Sequence, residues 1–221
     1  MDLLGQLTDL HIRVGPDDVE GARRVAATVA AAAEFAPALT AVLITGDIAE
    51  NGTQGEYERA RELLAPLTMP IHVIAGNHDN AGALAAAFGT ETRWAARVGS
   101  LRVVGCDTTV RGTDGGALNG DRLAWVADRL AEDATPTVLA MHHPPVDTGI
   151  LAMDEIGIPA ADRAATAMLS GCPVVLCPSA ERQLALDLAG GDDVEFTAGP
   201  PGFMVHIWKD GDLVSHVQPV M

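Results

Sequence analysis

Positively charged residues are scarce in this sequence. Its 221 residues include 14 Lys and Arg but 30 Asp and Glu, which gives a formal net charge of −16. Such an acidic surface repels a polyanion, so we do not expect general nucleic-acid binding. An anionic small-molecule substrate would need a concentrated local positive charge, such as bound metal.

Aromatic residues and cysteines are also few. Aromatics make up 4% of the sequence and hydrophobic residues 48%, so the core has to be built from Ala, Val, Leu and Ile. The three cysteines, Cys106, Cys172 and Cys177, are an odd number without CxxC spacing. This pattern favours buried thiols in a reducing compartment over a disulfide or a thiolate site.

Long apolar runs are absent. No stretch reaches the roughly 20 apolar residues that a membrane-spanning helix requires. The first residues, MDLLGQLTDLH, lack the basic region and the apolar length of a secretory signal. The sequence therefore predicts a cytoplasmic protein that does not bind a membrane. Its length favours one domain over residues 1–221.

Short apolar runs alternate with segments of helical periodicity. The predicted strands are 3–7, 41–45, 71–75, 101–106, 137–141, 173–177, 184–188, 203–208 and 213–217. The predicted helices are 17–35 (with Asp17 or Asp18 as the cap), 54–64, 81–88, 121–130 and 160–169. This alternation predicts an α/β fold in which helices flank central β-sheets on both faces. Gly, Pro and Asp turns after residue 172 predict C-terminal antiparallel strands.

Polar clusters follow four of these predicted strands. They read Asp9-Leu-His11, Gly46-Asp47, Gly76-Asn77-His78-Asp79 and His142-His143-Pro144-Pro145. Ligands bind outside the carboxyl ends of strands in open α/β sheets, so the four clusters are expected to converge. Their Asp, His and Asn side chains are oxygen and nitrogen donors suited to Mn, Fe or Zn.

Each cluster by itself also has a purely structural explanation. Asp, Asn and Gly are ordinary turn and helix-capping residues, and a histidine pair near the end of a sheet can be satisfied by packing. The joint pattern favours the metal site, because four of the seven histidines lie in these clusters and each cluster follows an apolar run.

The four clusters resemble those of the calcineurin-like metallophosphoesterases. The pattern of that family runs D-x-H, G-D, G-N-H-D or G-N-H-E, an H-x-P-like motif and finally G-H-x-H. The flanking stretches GDIAENGTQGEYERARELLAPL, MHHPPVDTGILAMDEIGI, PPGFMVHIW and DGDLVSHV are similar to the bacterial cyclic-nucleotide and glycerophosphodiester phosphodiesterase branch. The resemblance implies the layered fold of that family over nearly the whole chain.

The resemblance also implies two divalent transition metal ions, Mn, Fe or Zn. Asp9 and His11 would bind the first ion, Asn77 and His142 would bind the second, and Asp47 would bridge both. The implied activity is hydrolysis of a small phosphodiester, for which a 3′,5′-cyclic nucleotide is one candidate, by a hydroxide that bridges the metals.

The remaining residues of the matched motifs would act beside the ligands. The resemblance implies that His78 and Asn77 are the catalytic residues. His78 would contact the substrate, where it would stabilise charge on the phosphoryl oxygens or protonate the leaving oxygen. His143 and Asp79 are expected to support the ligands rather than bind metal themselves.

The last motif of the family, G-H-x-H, has no counterpart in this sequence, and no histidine lies between His143 and His206. One alignment sets residues 178–181 over the motif. Residues 171–179 look more like the strand that follows the motif, so a segment is expected to be missing at 169–171. Each metal would then keep three protein ligands, which is enough to hold a catalytic zinc.

Residues elsewhere offer no obvious replacement for the missing imidazoles. Glu181, His206 and His216 carry suitable donors, but their spacing does not argue for metal binding. A missing strand would expose a sheet edge, which invites pairing with a second copy of the chain. A homodimer is therefore one expected partner, in addition to the small phosphodiester.

Three functions remain open from the sequence. The first is the metal-dependent phosphodiesterase. The second is a catalytically impaired relative that binds a phosphorylated ligand without turnover, which the absent histidines favour. The third is a phosphomonoesterase or phosphoprotein phosphatase on the same scaffold.

Overall fold

A computed structural model describes residues 1–15, 18–165, 172–185, 195–197 and 199–221. Its strands are β1 (Asp2–Leu7), β2 (Ala41–Thr45), β3 (Ile71–Ile74), β4 (Trp94–Val98), β5 (Leu101–Gly105), β6 (Thr137–Ala140), β7 (Gln183–Leu184), β8 (Phe196–Thr197), β9 (Gly202–Lys209) and β10 (Asp212–Pro219). Its helices are α1 (Val19–Ala33), α2 (Gln54–Leu64), α3 (Ala81–Phe88), α4 (Gly120–Ala131), α5 (Leu151–Ile156) and α6 (Ala160–Ala165).

Two sheets form the centre of the fold. The larger has the order β10-β9-β1-β2-β3, and the smaller has the order β4-β5-β6. Strands β1, β2 and β3 are parallel, whereas β9 and β10 are antiparallel to their neighbours. The parallel pairing brings the carboxyl ends of β1, β2 and β3 to one edge of the larger sheet.

The two sheets pack face to face through alternate residues of their strands. Leu4, Leu43 and Ile74 of the larger sheet contact Trp94 and Val103 of the smaller one in one buried cluster. Residues that point the other way, with Val42 and Ile44 among them, form the largest core with α1 and α2. This follows from the period of two in a strand, which sends neighbouring side chains to opposite faces.

Local sequence signals account for the ends of two helices. Thr53 and Glu56 form a reciprocal capping box at the start of α2. The Asn80 side chain accepts a hydrogen bond from the Ala83 amide at the start of α3, and Gly89 ends that helix with φ 65°. Both helices match their predicted bounds, because the caps are encoded beside them in the chain.

The predicted α/β fold with central sheets, flanking helices and C-terminal antiparallel strands is confirmed. The prediction of helices on both faces of the sheet was wrong, since one face of each sheet packs on the other sheet. An apolar strand face can be buried by a helix or by a second sheet. The sequence therefore does not distinguish a sheet covered by helices on both faces from two sheets packed on each other.

Five elements differ from their predictions, and β8 is among the strands that the sequence reasoning missed. The strand predicted at 173–177 is absent: Val174 and Leu176 lie half-exposed in irregular backbone, and none of the described strands pairs with this run to stabilise it. Strand β4 and helix α5 were missed. Strand β7 replaces the start of the strand predicted at 184–188 and pairs with β8.

Parts of other predictions lie outside the described residues. These are Asp17, residues 166–169 of the last predicted helix, the rest of the strand predicted at 184–188, and the segment 169–171 where residues were expected to be missing. Asp18 stands at the N-cap of α1, but its side chain makes no capping hydrogen bond and instead accepts one from the Arg13 amide. None of the described helices has both the length and the apolar character that a membrane crossing requires.

Leu4 tests the packing of one sheet on the other. The side chain is fully buried between the sheets, so Leu4→Ala should lower the free energy of unfolding by about 3 kcal/mol through lost burial and a residual cavity. Urea denaturation measures the change. Val214→Ala, on the exposed face of β10, is the control and should change stability by less than about 0.5 kcal/mol. Equal losses in the two variants would contradict the packing of Leu4.

Candidate metal centre

Five side chains from the predicted clusters come together at the carboxyl ends of β1, β2, β3 and β6. They are Asp9, His11, Asp47, Asn77 and His142, and we call them the donor cluster. Backbone hydrogen bonds continue from β1 and β2 into the loops that follow them. The Asp9 amide donates to the Gly46 carbonyl at 3.1 Å, and the His11 amide donates to the Asp47 carbonyl at 2.9 Å. The loops are thus held side by side before any ligand binds.

Three members of the donor cluster have left-handed backbone conformations. The φ angles are 53° at Asp9, 44° at His11 and 48° at Asp47. A side chain with a Cβ atom rarely adopts this region, and each such residue costs about 1 kcal/mol or more. Backbone strain of this kind concentrates at functional sites, where the surrounding structure holds it in place.

Asp47 lies between the two histidines of the donor cluster. Its Oδ2 atom is 3.7 Å from His11 Nε2 and 3.5 Å from His142 Nε2. His11 Nε2 is also 3.8 Å from Asp9 Oδ1. One buried carboxylate therefore faces donor atoms on both sides, which is the arrangement that a bridging ligand needs.

Hydrogen bonds behind the rings fix which nitrogen of each histidine faces the cluster. His142 Nδ1 donates to the Thr45 carbonyl at 2.9 Å, and His11 Nδ1 donates to Glu50 Oε2 at 2.9 Å. Since Nδ1 carries the proton, Nε2 of each neutral ring has a free lone pair. Orientation of a ligating imidazole by a partner on its other nitrogen is typical of metal sites.

The donor cluster is rich in acceptors that face one another. His142 Nε2 lies 3.1 Å from Asn77 Oδ1, and in the neutral ring both atoms are acceptors. Such atoms at this distance repel unless a proton or a cation lies among them. The donor set therefore fits divalent metal: nitrogen and oxygen ligands, with Asn77 contributing a neutral one.

Protons hold the donor cluster together when metal is absent. Burial opposes a charge on His11, but the hydrogen bond to Asp9 and the negative charges of Asp47 and Asp9 outweigh it and raise the pKa of His11 to about 9. The pKa of His142 is also raised, because the charges of Asp47 and Asp9 outweigh its burial. Metal ions have to displace these protons, so metal affinity should fall with falling pH.

Asp79 joins the loops that carry the donor cluster. Its carboxylate accepts hydrogen bonds from the amides of Ile48 at 3.1 Å, Ala49 at 3.0 Å and Gly76 at 3.0 Å, and from the Tyr57 hydroxyl at 3.2 Å. Every one of these contacts is to the backbone or to a hydroxyl behind the cluster. The structure therefore places Asp79 as a clamp between the loops after β2 and β3.

His143 is packed beneath the site. It is 2% exposed, and its two ring nitrogens contact Thr108 Oγ1 at 2.8 Å and the Asp114 carbonyl at 3.0 Å. Burial, with the nearby His142, lowers the pKa of His143 to about 4. The ring is therefore neutral at pH 7 and both of its nitrogens are engaged away from the donor cluster.

His78 lies at the edge of the site. Its amide donates to Asp47 Oδ1 at 3.0 Å, and its ring Nδ1 donates to the Glu50 carbonyl at 3.0 Å. The side chain is 38% exposed, and it packs edge-on against the His11 ring with centroids 4.8 Å apart. The ring is thus fixed beside the donor cluster but open to a ligand.

The residues considered as replacement ligands lie elsewhere or are already paired. His206 Nδ1 contacts Ser215 Oγ at 2.7 Å, and His206 Nε2 donates to Gln6 Oε1 at 2.8 Å. His216 is exposed on β10. Glu181 forms ion pairs with arginines rather than joining the donor cluster.

Two partners of the donor cluster were missed by the sequence reasoning: Glu50 and the Thr45 carbonyl. Glu50 contacts His11 through its side chain and His78 through its carbonyl, and Arg13 Nη2 holds the same Oε2 atom at 2.9 Å. The one available signal was the position of Glu50 three residues after Asp47 in the same loop. A backbone carbonyl leaves no signal in a sequence at all.

A cavity of about 520 Å³ opens over the donor cluster. All five cluster residues and His78 line it. Its lining also includes apolar side chains of α5 and of the segments around β7 and β8, with Met153, Leu176 and Phe196 among them. The volume suits a small-molecule ligand.

Residues 3–175 match the family model described as calcineurin-like phosphoesterase. The chain belongs to the calcineurin-like phosphoesterase family. The match contains all four loops of the donor cluster. Membership confirms the resemblance drawn from the sequence.

Two curated relatives are similar over much of the chain. A probable cyclic nucleotide phosphodiesterase of Synechococcus sp. is 37% identical over 70% of this chain and 63% of its own length. A probable glycerophosphodiester phosphodiesterase of Arcobacter nitrofigilis is 33% identical over 79% of this chain and 76% of its own length. The chain thus spans less than two thirds of the first relative.

The second alignment contains residues of the relative that this chain does not match. It runs over 208 positions although it covers only 79% of this 221-residue chain. That relative therefore carries residues that have no counterpart here. Among solved structures, a purple acid phosphatase from yellow lupin seeds matches 99% of this chain and 51% of its own, with a TM-score of 0.66 and 12% identity. This likeness shows a shared fold.

Glu50 should control metal affinity through His11. Glu50→Ala removes the acceptor of the His11 Nδ1 proton, so we expect Mn²⁺ affinity to fall about 10- to 100-fold. Glu50→Gln retains a carbonyl acceptor and should lose less. Isothermal titration with Mn²⁺ measures both. Glu58→Ala, on the exposed face of α2, is the matched control; a loss there as large as in Glu50→Ala would contradict the role of Glu50.

Proposed function

We propose that this protein is a metal-dependent phosphodiesterase that hydrolyses small phosphodiesters. The observation that carries the proposal is the position of Asp47 Oδ2, 3.7 Å and 3.5 Å from the Nε2 atoms of His11 and His142. A carboxylate shared between two sets of donors is suited to a pair of divalent cations, with Mn, Fe or Zn as the candidates.

Each residue of the donor cluster has a proposed place. Asp9 and His11 would hold one cation, Asn77 and His142 would hold the other, and Asp47 would contribute to both. Three protein ligands for each cation would suffice for a catalytic metal such as zinc. Bound divalent metals neutralise a phosphodiester and make water a stronger nucleophile near neutral pH.

His78 is the proposed catalytic residue that touches substrate. Its ring opens to the cavity, while the Glu50 carbonyl holds the Nδ1 proton at 3.0 Å. This contact keeps the ring oriented and leaves Nε2 to meet the substrate. We propose that His78 stabilises charge on the phosphoryl oxygens or acts as a general acid. A general acid has to lie beside the leaving oxygen to which it supplies a proton.

A small diester is the substrate that best suits the chain. Both relatives described above are named as phosphodiesterases, one for cyclic nucleotides and one for glycerophosphodiesters. The net charge of −16 disfavours nucleic acid, while a small anion can be held by the cations. A 3′,5′-cyclic nucleotide is a candidate substrate. The cytoplasmic location and the homodimer stay predictions from the sequence.

Activity is tested with bis(p-nitrophenyl) phosphate. With excess Mn²⁺ the purified protein should release p-nitrophenolate, and EDTA should abolish the release. Asp47→Asn should lower turnover by about 100-fold or more, because one variant weakens both cation sites. The monoester p-nitrophenyl phosphate should react more slowly than the diester. Folded, metal-loaded protein without turnover of either ester would overturn the proposal, and faster turnover of the monoester would turn it into a phosphomonoesterase.

Asn77 and His78 should differ in what their loss affects. Asn77→Ala removes a proposed ligand and should weaken Mn²⁺ binding about 10-fold, whereas His78→Ala should leave Mn²⁺ affinity within about twofold and lower kcat about 100-fold. Calorimetry and steady-state kinetics measure the two effects separately. Asn119→Ala, at the start of α4 and outside the donor cluster, serves as the control. An equal loss of metal affinity in the two variants would contradict the assigned roles.

A further inference from the structure

Part of the cavity lining outside the donor cluster is apolar. Ile150 and Met153 line it from the side of α5, and Val175 and Leu176 line it from the irregular segment before β7. Val175 and Leu176 remain substantially exposed. Exposed apolar side chains gathered along one cavity mark a surface that meets a ligand.

One cation belongs to this wall. Arg182 is the single lysine or arginine among the described residues that line the cavity. Its guanidinium carbon lies 4.3 Å from the centre of the Phe196 ring, a contact between a flat cation and an aromatic face. Phe196 is 51% exposed and lines the same cavity, so the pair presents flat groups to a bound molecule.

A chain of polar contacts connects this pair to the donor cluster. Arg182 Nε donates to Glu181 Oε2 at 3.0 Å, and Glu181 Oε1 lies 3.5 Å from Arg13 Nη1. Arg13 also pairs with the carboxylate of Glu50, which holds His11. These contacts hold the Arg182 side chain in a fixed position relative to the donor cluster. A surface arginine without such partners would not have a fixed position.

We propose that Arg182 and Phe196 form a stacking platform that recognises a planar aromatic group of the substrate, such as a nucleobase or an aryl ester. The proposal rests on the proposed function, because the donor cluster takes the phosphodiester while the platform takes the organic group. The donor cluster, Arg182 and Phe196 all line one cavity. The platform determines specificity and takes no part in the chemistry.

The chemistry of the wall favours an aromatic group over a glycerol-type one. A polyol has no flat face that could stack on Arg182 or Phe196, and its hydroxyls gain no hydrogen bond beside apolar side chains such as Ile150, Met153 and Leu176. A flat ring loses little on leaving water and gains stacking on the Arg182 and Phe196 faces. Stacking of one base on an aromatic side chain contributes on the order of tenfold in affinity.

The test compares two phosphonates that bind without being hydrolysed. Phenylphosphonate and methylphosphonate carry the same anionic group, and only the first carries a ring. Calorimetric titration of the Mn²⁺-loaded protein should give about tenfold tighter binding of phenylphosphonate. Phe196→Ala should reduce this ratio about fivefold or more while the affinity for methylphosphonate stays within about twofold.

Two further variants separate stacking from charge and from general destabilisation. Arg182→Lys keeps the charge but loses the planar face, so it should also lower the ratio. Leu213→Ala changes an exposed apolar residue of β10 outside the cavity and should leave the ratio unchanged. A ratio that stays the same in Phe196→Ala and Arg182→Lys would overturn the platform.

The outcomes for the platform and for the proposed function are distinct. Ring-selective binding without hydrolysis of bis(p-nitrophenyl) phosphate supports the platform and contradicts turnover. Equal affinity for the two phosphonates overturns the platform alone. Failure of both phosphonates to bind overturns the metal site and the platform with it.

Discussion

The carboxylate of Asp47 is the contact on which the site depends. It lies between His11 and His142, and its other oxygen accepts the amide of His78. That position requires a left-handed backbone at Asp47, with φ 48°. The hydrogen bonds that Asp79 accepts from the amides of Ile48, Ala49 and Gly76 stabilise the neighbouring loops and offset this strain.

The sheet supplies the distance between the donors. Parallel pairing of β1, β2 and β3 puts successive strand ends side by side, and neighbouring strands lie about 4.8 Å apart. The smaller sheet adds His142 from the end of β6, since it packs on the larger sheet through Leu4 and Trp94. The site is therefore built across the interface of two layers, and its geometry is as rigid as their packing.

The clusters could be predicted from the sequence because each follows its strand directly. The apolar run before Asp9 or Asp47 predicts a strand, and the polar residue after the run indicates where that strand ends. Glu50 could not be predicted in the same way, because only the folded loop turns its carboxylate towards His11 Nδ1. The error at 173–177 has the opposite cause: the run is apolar enough for a strand, but among the residues that the structure describes no strand pairs with it.

The amino-acid sequence by itself determined most of the strand and helix pattern, the family and the residues of the donor cluster, since these depend on local periodicity and on residue type. Tertiary structure decided that two sheets pack on each other, that Glu50 and the Thr45 carbonyl orient the imidazoles, and that Arg182 meets Phe196 in the cavity of the donor cluster. Those contacts join residues far apart in the chain or groups of the backbone. Their free energy depends on distances and directions that the order of residues does not contain.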